Sequence, residues 1–431
     1  MSYNELKDRI ENRKACVAVI GLGYVGLPLA LEFARAKVKV FGIDVSHRKV
    51  ARLKEGISHI EDVSSEEVKE VIESGYLSPY DSYEKLKDAD AVIICVPTPL
   101  RKTREPDLSY IVSASEEVAA NITPQTLVIL ESTSYPGTTR EILVPELEKR
   151  GLKEGESVFV AFSPERVDPG NKTYGIRNTP KVVGGVDERS SELAGSLYGL
   201  IVDKVVAAGS CEEAEMVKLL ENTFRAVNIG LVNEMAQLCD KFGLDIWRVI
   251  RAAASKPFGF MPFYPGPGLG GHCIPIDPQF LSWKAKCSRF YPYFIDYAEE
   301  INRSMPGYVV TRISEILNES KKSINGSRIL LMGVSYKQNV GDVRESPSFD
   351  IAEQLVRMRA DVAYCDPYVD SFMDLKRVDC EEPGYQDYDL VVIVTAHDAF
   401  DYNVMLEEAS AVLDCRGVTL DLGGKAKVKR I

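Results

Sequence analysis

The sequence lacks the features that mark membrane, secreted and metal-binding proteins. No apolar run approaches the roughly 20 residues of a membrane-spanning helix, and the charged, polar start of the chain is unlike a signal peptide. The 9 cysteines are scattered without a CxxC pair, which predicts reduced thiols, and the 4 histidines are not at metal-ligand spacing. We therefore expect a cytoplasmic protein with neither a membrane segment nor a metal site.

An excess of positive charge is also missing. The formal net charge is -12 at pH 7, which excludes a broad phosphate-binding surface for nucleic acid. An anionic substrate would therefore need a local basic pocket. The 431 residues, 45% hydrophobic and 27% charged, are typical of globular proteins and exceed what one core usually organises, so we expect two or three domains.

The first 200 or so residues alternate between apolar β-branched runs and helical patterns, which predicts a doubly wound α/β domain. The predicted strands are 15–20, 38–43, 91–96, 127–130 and 158–162, and the predicted helices are 27–35, 64–74 and 110–121.

The rest of the chain divides into a helical middle and a second α/β region. Helical periodicity covers 211–242 and 293–320, and the Gly/Pro-rich segment 262–273 between them cannot be regular structure. Strand and helix patterns then resume at 328–332, 348–359, 362–365, 390–395 and 411–414. We therefore predict two Rossmann-like domains, 1–208 and 323–431, joined by a helical central domain, 209–322.

The segment GLGYVG, which begins at Gly21, follows a predicted strand and opens a helix. In this context a GxGxxG pattern predicts a dinucleotide site, because its glycines allow a tight turn, an approach to the pyrophosphate and close helix packing. The alternative is a strand-helix turn without a nucleotide. The predicted cofactor residues of this turn are Gly21, Gly23, Tyr24, Val25 and Gly26.

Asp44 lies at the end of the second predicted strand, 18 residues after Gly26. A carboxylate there can accept both ribose hydroxyls and would repel a 2′-phosphate, so NAD is favoured over NADP. Lys49, on the next helix, is a further candidate near the adenosine. Pro97 and Thr98 end another strand of the domain, and strand ends line the cofactor crevice in such sheets.

Cys273 lies in the glycine-rich segment, where a sugar can approach the backbone closely. A lone cysteine is usually a packed core thiol. Beside a hydride acceptor, however, a nucleophilic thiol can trap an aldehyde as a thiohemiacetal, which loses a second hydride to give a thioester and then an acid. The sequence therefore predicts an alcohol oxidised to the acid.

Other polar residues are candidates for the same site. Lys218 and Asn222 are one turn apart on the long predicted helix, and Asp277 follows Cys273 by four residues. A lysine, alone or with an aspartate and a water, can accept an alcohol proton and stabilise an oxyanion. Glu165, after the last strand of the first domain, can activate a water. Cations of the last domain can bind a diphosphate. For every candidate in this group, the alternative interpretation is a structural contact or a surface ion pair.

Six ordered motifs together resemble the family of UDP-glucose, UDP-N-acetylhexosamine and GDP-mannose dehydrogenases. They are GLGYVGLP, STSYPGTT, SPERVDPG, VKLLENTFRAVNI, GPGLGGHCIPIDP and GVSYKQNVGDVRESP. The resemblance covers essentially the whole chain. It implies NAD as cofactor, two NAD per molecule of UDP-sugar, and a homodimer or higher homo-oligomer built on the helical middle.

The resemblance also implies roles for individual residues. The nucleophile falls on Cys273, with Lys218, Asn222 and Asp277 in the same site, and Thr133 and Glu165 serve thioester hydrolysis. Arg344 resembles an arginine that reaches the cofactor pyrophosphate. The expected substrate contacts are Glu165, Arg166, Val167, Lys218, Asn222, Tyr264, Gly266, Gly270, Tyr336, Lys337 and Arg416.

Two departures bear on the sugar. Ile276 stands where the UDP-glucose branch has a lysine, and Ser163-Pro164-Glu165-Arg166 replaces that branch's Asn-Pro-Glu-Phe. SPERVDPGN and FYPGPGLGGHCIPIDP resemble the branch that oxidises UDP-N-acetylglucosamine or a related N-acetylhexosamine, such as UDP-N-acetylmannosamine. Arg166 or His272 can serve the acetamido group. The alternatives are UDP-glucose as substrate, a two-electron oxidation, or a non-catalytic protein that binds NAD and a nucleotide-sugar.

Overall fold

The fold was analysed in a computed structural model, which describes residues 1–60, 63–101, 104–167, 171, 173–271 and 273–431. Two units separate by their internal contacts. The first unit comprises Met1–Glu221 with Gln279–Ser288, and the second comprises Asn222–Pro278 with Arg289–Ile431.

Strands of the described chain are short and mostly apolar. They are β1 Cys16–Ile20, β2 Lys39–Ile43, β3 Leu77–Tyr80, β4 Ala91–Ile94, β5 Thr126–Leu130, β6 Val158–Phe162, β7 Lys181–Gly185, β8 Val205–Ala207, β9 Arg328–Met332, β10 Asp361–Cys365, β11 Lys376–Arg377, β12 Leu390–Ile393, β13 Ala411–Asp414 and β14 Lys427–Arg430.

Helices connect the strands and form the middle of the chain. They are α1 Tyr3–Glu11, α2 Gly26–Arg35, α3 His47–Lys54, α4 Ser65–Glu73, α5 Ser109–Asn121, α6 Val144–Glu148, α7 Glu188–Tyr198, α8 Cys211–Lys241, α9 Ile246–Ala253, α10 Asp277–Cys287, α11 Tyr293–Glu319, α12 Pro347–Arg357 and α13 Tyr402–Glu408. Two 3-10 turns cover Tyr83–Asp88 and Tyr385–Asp387, and a π-helical turn covers Thr139–Leu143.

Each unit contains one sheet with β-strands in a doubly wound order. The first sheet runs β3-β2-β1-β4-β5-β6-β7-β8, and the second runs β11-β10-β9-β12-β13-β14. Every pairing is parallel except that between β6 and β7. In both sheets the chain reverses direction across the sheet beside the first strand, which is where such folds bind nucleotides. The predicted pair of doubly wound folds is confirmed.

The sheets are buried on both faces, which explains their continuous apolar runs. Along β1, Val17 and Val19 belong to one core cluster, whereas Ala18 and Ile20 belong to another. The second sheet divides its strands between two clusters in the same way. Because successive side chains of a strand point to opposite faces, each sheet separates two apolar layers that the helices cover.

Helices α8 and α11 pack closely within the second unit. A Cβ on Gly230 would lie 3.1 Å from Ala298, so a small residue permits this approach. One turn along, the buried amide of Asn233 donates to Asn302 Oδ1 at 2.8 Å, and Asn302 Nδ2 donates to the Ala226 carbonyl at 3.0 Å. Buried polar groups thus set the register of the two helices.

The strands that apolar patterning misses have physical reasons to be unusual. β3 contains Pro79 and β14 reads Lys-Val-Lys-Arg, and both lie at sheet edges, where proline and charge are tolerated. β7 ends in two glycines because a Cβ on Gly184 would lie 2.0 Å from the Ser210 carbonyl oxygen. The segment 262–271 forms neither helix nor strand, as predicted, and His272 lies outside the described residues.

Candidate active site

The loop after β1 has the geometry of a dinucleotide turn. Gly21 has φ +89°, and a Cβ there would lie 2.4 Å from the Cys95 carbonyl oxygen. A Cβ on Gly26 would lie 1.9 Å from the Gly21 oxygen, so α2 can start here only at a glycine. A Cβ on Gly23, by contrast, would meet nothing within 4 Å. Two glycines are therefore required by packing, and the third leaves the room that a pyrophosphate needs.

Asp44 directly follows β2 and is held by the same loop. Its carboxylate accepts hydrogen bonds from Leu22 N at 3.0 Å and Ser46 N at 2.9 Å, and Lys49 Nζ lies 3.3 Å away. The carboxylate is therefore fixed at the strand end where an adenosine ribose binds in such folds. Tyr24, whose side chain is exposed, lies in the same loop. These residues fit NAD.

Two more strand ends line this edge of the first sheet. Pro97 is exposed and Thr98 half-buried after β4, and Thr133 is half-buried after β5. The loop that carries Thr133 is anchored by the buried Glu215, which accepts hydrogen bonds from Gly137 N at 2.5 Å and from both the amide and hydroxyl of Thr139.

Glu215 itself is almost fully buried. Burial raises the pKa of its carboxyl to about 7, although the hydrogen bonds from Thr139 and Gly137 oppose that rise. The sequence gives no signal for this residue, because a glutamate on a predicted helix, one turn beyond Glu212 and Glu213, is usually a solvated charge.

Glu165 lies in a charged cluster of the first unit. Its Oε2 is 3.1 Å from Lys181 Nζ, and its Oε1 accepts a hydrogen bond from Val167 N at 2.6 Å. Burial would raise the pKa of Glu165, but the charges of Lys181 and Lys218, with the Val167 hydrogen bond, lower it to about 2. Glu165 is therefore an anion, as a residue that activates water must be.

Arg166 is engaged with other residues of the first unit. Its guanidinium makes two hydrogen bonds to Glu221, at 2.6 and 3.2 Å, and one to the Pro180 carbonyl at 2.7 Å. The loop after β6 is thereby tied to α8 and to the start of β7. The residues 168–170 and 172 lie outside the described residues.

Cys273, Asp277 and Asn222 are placed together in the second unit. Asp277 N donates to the Cys273 carbonyl at 2.8 Å, and Asn222 Nδ2 donates to Asp277 Oδ2 at 2.5 Å. Asp277 is buried and opens α10, whereas Cys273 is half-buried. The start of a helix favours negative charge nearby, and the thiolate is the nucleophilic form of cysteine.

The glycine segment before Cys273 packs on the loop after β9. A Cβ on Gly270 would lie 2.6 Å from Tyr336 Cβ, and one on Gly271 would lie 2.8 Å from the Tyr336 ring. Gly271 N donates to the Arg344 carbonyl at 3.1 Å. Glycine is therefore needed here so that the Tyr336 loop can approach. Lys337, next in the chain, is half-buried.

Arg416 is half-buried in the second unit beside the same segment. Its Nε donates to the Val394 carbonyl at 2.7 Å, and a Cβ on Gly266 would lie 2.8 Å from its NH1. Burial lowers the pKa of Arg416 despite the nearby Asp414. Among the described residues, no carboxylate lies within ion-pair distance of this guanidinium. A half-buried cation of this kind fits an anionic ligand such as a diphosphate.

The remaining predicted residues are also placed. Tyr264 is half exposed and stacks on Trp247 with ring centroids 5.9 Å apart. Arg344 binds Asp342 through Nε and NH2, at 2.9 and 2.6 Å. Of the predicted catalytic residues, Lys218 and Glu165 belong to the first unit, whereas Cys273 belongs to the second.

The fold and these sites define an α/β oxidoreductase with a dinucleotide turn. The chain belongs to the UDP-glucose/GDP-mannose dehydrogenase family: its NAD binding domain matches residues 15–202, its central domain 212–304 and its UDP binding domain 330–421. The chain is therefore a nucleotide-sugar dehydrogenase with NAD as cofactor and a UDP-sugar as substrate, as the sequence predicted.

Individual relatives differ in the sugar that their names carry. A UDP-N-acetyl-D-glucosamine 6-dehydrogenase of Pseudomonas aeruginosa is 37% identical over 389 residues, 89% of this chain and 91% of the relative. A UDP-N-acetyl-D-mannosamine dehydrogenase of Methanococcus maripaludis is 38% identical over 391 residues, 89% of this chain and 86% of the relative. The solved UDP-D-ManNAc dehydrogenase of Pyrococcus horikoshii is 33% identical with a TM-score of 0.87, covering 96% of this chain and 98% of that one.

Two other features are absent from the part of the chain that the structure describes. No helix in the described ranges is long and apolar enough to cross a membrane. Within the same ranges, no group of three or more histidine, cysteine or acidic residues is arranged to hold a metal ion.

Proposed function

We propose that this dehydrogenase oxidises the C6 alcohol of a UDP-N-acetylhexosamine to the uronic acid, with UDP-N-acetyl-D-glucosamine as the first candidate. The observation that carries the proposal is the cluster of Cys273, Asp277 and Asn222, in which a half-buried thiol precedes a helix whose first carboxylate is bound by an amide. Such a cluster suits covalent capture of an aldehyde.

Cys273 supplies the covalent step. Loss of a proton and a hydride converts the alcohol to an aldehyde, and the thiolate sulfur then forms a bond to the aldehyde carbon, giving a thiohemiacetal. Loss of a second hydride gives a thioester. Bound NAD is the hydride acceptor, one molecule for each two-electron oxidation.

Lys218, Asn222 and Asp277 handle the oxygen of C6. Lys218 accepts the alcohol proton, directly or through a water, and its charge stabilises the developing oxyanion. The amide of Asn222, oriented by Asp277, is a second donor to that oxygen. Lys218 and Asn222 thus stabilise the negative charge on the C6 oxygen in place of solvent.

Glu165 and Thr133 serve the hydrolysis. The Glu165 carboxylate accepts a proton from a water held by Thr133, and the water oxygen attacks the thioester carbon. The C–S bond then breaks, Cys273 leaves as the thiolate, and the acid is released. The low pKa of Glu165 keeps this carboxylate ionised at neutral pH.

The UDP group is assigned to cations and glycines of the last domain. Arg416, Lys337 and Tyr336 would contact the diphosphate, and Arg344 would reach the cofactor pyrophosphate. The half-buried guanidinium of Arg416, held by the Val394 carbonyl, supports this assignment. The further substrate contacts remain predictions, namely Arg166, Val167, Tyr264, Gly266 and Gly270.

The choice of sugar rests on the segments SPERVDPGN and FYPGPGLGGHCIPIDP, which resemble the N-acetylhexosamine branch of the family. The bacterial relative named for N-acetylglucosamine and the archaeal relative named for N-acetylmannosamine are 37% and 38% identical, so identity does not separate them. UDP-N-acetylmannosamine is therefore the second candidate. His272, which was predicted to contact the acetamido group, lies outside the described residues.

The test is NADH formation with UDP-N-acetylglucosamine, UDP-N-acetylmannosamine, UDP-N-acetylgalactosamine and UDP-glucose in turn. We expect a preference for the first, and about two NADH per sugar, as the thioester route requires. A preference for UDP-glucose would reject the N-acetylhexosamine assignment, and one NADH per sugar would reject the thioester. Cys273→Ser should accumulate aldehyde or adduct with little acid, and full acid production by it would remove Cys273 from the mechanism.

We further propose a homodimer built on the helical middle. Three apolar side chains at helical spacing are exposed along α8 in the second unit, namely Phe224, Leu231 and Leu238, and the exposed Phe242 directly follows the helix. An exposed apolar stripe of this kind marks a protein interface. Light scattering should give a mass of two or more chains, and Leu231→Glu should lower it. The three domain boundaries and the cytoplasmic setting stay predictions.

A further inference from the structure

A buried lysine lies between two glutamates in the first unit. Lys181 opens β7, is 5% exposed and contacts Glu131, which directly follows β5 and is 1% exposed. The same ammonium group lies 3.1 Å from Glu165 Oε2. Tyr198, the last residue of α7, donates its hydroxyl to Glu131 Oε2 at 2.5 Å, and its ring centroid lies 5.1 Å from Lys181 Nζ.

The charges of this cluster exceed what packing alone would need. One lysine and one glutamate would balance each other, whereas Glu165 adds a second carboxylate beside the same ammonium group. Such a partner matters because burying an uncompensated charge costs several kcal/mol. Glu165 is also the member nearest to solvent, since its side chain is 11% exposed whereas that of Lys181 is 6% and that of Glu131 is 0%.

The loop that carries Glu165 is fixed to the start of β7. Oε1 of Glu165 accepts the hydrogen bond from Val167 N at 2.6 Å, while Oε2 faces Lys181. Arg166 donates to the carbonyl of Pro180, the residue before Lys181, at 2.7 Å. Both oxygens of Glu165 thus have a donor, one in the loop after β6 and the other at the start of β7.

We propose that Lys181 is a positioning residue for Glu165. It holds the carboxylate ionised and in one orientation, and Glu131 and Tyr198 hold Lys181 in turn. The proposal rests on the proposed role of Glu165 in thioester hydrolysis. Lys181 does not touch the substrate in this scheme, because its ammonium is buried behind the carboxylate that accepts the water proton.

The electrostatics support this division of roles. Burial raises the pKa of Glu131 to about 7 against the lowering charge of Lys181. Burial opposes a high pKa for Lys181, but the two carboxylates raise it overall, so the lysine stays charged. The titratable groups that act on Glu165 or its partners are Lys181, Glu131, Lys218, Tyr198 and Cys95.

The experiment compares variants that separate charge from packing. Lys181→Met alone strands Glu131 and Glu165 without their buried cation, so Glu131→Gln/Lys181→Met removes the lysine together with its buried partner and leaves Glu165 as the one carboxylate of the cluster. Lys181→Arg keeps the cation. Lys7→Met/Glu192→Gln removes an exposed ion pair of the same unit and is the matched control.

The measurement is the pH dependence of thioester hydrolysis with whichever UDP-hexosamine the wild type oxidises. Acid-quenched intact mass spectrometry follows the adduct on Cys273. In the double variant we expect a new acid limb, with hydrolysis slowed by about 10-fold or more at pH 6 and recovering toward pH 8, since a general base contributes roughly 100-fold or more. Lys181→Arg and the control should keep the wild-type profile.

A structural role predicts another result. If Lys181 only balanced Glu131, the neutral double variant would hydrolyse the thioester with the wild-type pH profile, and that outcome would overturn the proposal. An effect on KM for the UDP-sugar without the pH-dependent loss of hydrolysis would overturn it as well.

A titration independent of turnover separates this proposal from the proposed function. Protonated Glu165 gives a carboxylic-acid infrared band, which is assigned by its loss in Glu165→Gln. In wild type this band should be absent between pH 5 and 9. In the double variant it should appear below about pH 6. Wild-type protein that shows Glu165 protonated at pH 6 rejects the proposal without any variant of Lys181. Failure to oxidise any UDP-hexosamine would instead reject the proposed function and leave this titration to decide the role of Lys181.

Discussion

The two sheets of the chain open with the same turn, but the aspartate that follows the second strand has different surroundings in each. Gly21 and Gly333 both have positive φ, at +89° and +73°, and a Cβ on either would lie within 2.4 Å of a carbonyl oxygen of the neighbouring strand end. In each turn the next residue donates its N–H to an aspartate after the second strand: Leu22 N lies 3.0 Å from Asp44 Oδ2, and Val334 N lies 2.7 Å from Asp366 Oδ2.

The surroundings of the two aspartates then diverge. Asp44 has beside it the loop at Gly23, which leaves open space, and the lysine of an exposed helix. Asp366 is fully buried against His397, whose Nε2 lies 3.0 Å from Oδ2. Since Asn339 N donates to Nδ1 of this histidine, its ring proton lies on Nε2 and points at Asp366. A ribose cannot use a carboxylate occupied in this way.

The difference explains how one turn serves two ligands. The first sheet keeps the short glycine turn into α2 and a carboxylate for the cofactor ribose. In the second sheet the helix after the turn begins only at Pro347, and the longer loop instead carries Tyr336, Lys337 and Arg344. In the second sheet the aspartate is therefore satisfied internally, and the cations of the longer loop suit a diphosphate rather than a ribose.

The largest effects should come from the glycines of the two turns. Gly26→Ala places a Cβ 1.9 Å from a backbone oxygen, so NAD affinity should fall by about 100-fold, or about 2.7 kcal/mol, while UDP binding is kept. In Gly333→Ala, UDP affinity should fall while NAD binding is kept. The free energy of unfolding of this variant should also be lower by about 2–4 kcal/mol. Calorimetric titration with NAD and UDP measures both.

The control for these variants is Gly423→Ala, because a Cβ there meets nothing within 4 Å. It should bind both ligands as the wild type does. If Gly26→Ala and Gly333→Ala weakened the same ligand, the assignment of one ligand to each sheet would be wrong.

Arg416→Ala should have the next largest effect. Loss of a charge-assisted contact to a diphosphate costs about 1.5–3 kcal/mol, so UDP affinity should fall about 10–100-fold with NAD affinity unchanged. Arg251→Ala, which removes an exposed arginine paired with Asp421, is the control and should change neither affinity. Unchanged UDP binding in Arg416→Ala would place the diphosphate elsewhere.

Asp44→Asn should weaken NAD binding by about 10-fold, since one acceptor for the ribose hydroxyls loses its charge. The variant should also narrow the preference for NAD over NADP, because the 2′-phosphate is no longer repelled. Initial rates with each cofactor test this. An unchanged NAD-to-NADP ratio would show that another group makes the distinction.

The smallest expected effect is on stability at low pH. Burial alone would raise the pKa of Asp366, but His397 and the N–H groups of Val334 and Tyr368 lower it overall. Its contribution to stability is therefore present above the unfolded pKa of about 3.9 and is lost as pH falls toward the folded value. The free energy of unfolding should fall more steeply below about pH 4 in wild type than in Asp366→Asn, and equal slopes would contradict this account.

Much of the fold was predictable because its signals are local. Continuous apolar runs and the glycine turn predict both sheets, and β6, β9 and β13 have the predicted bounds. β3 and β14 were missed since edge strands admit proline and charge. The charged cluster was missed for a different reason: Lys181 and Glu131 each resemble ordinary solvated residues, and only their burial together makes them significant.

By itself, the sequence determined the two nucleotide folds, the family, the cofactor and the class of substrate, because glycine turns and ordered motifs depend on residues near one another in the chain. Only the tertiary structure decided which polar residues meet. Glu131 and Lys181 are brought together by strands β5 and β7, and Asp366 and His397 by the ends of β10 and β12. These polar contacts are strong because the sheet excludes water from around them, and the exclusion of water depends on packing rather than on local sequence.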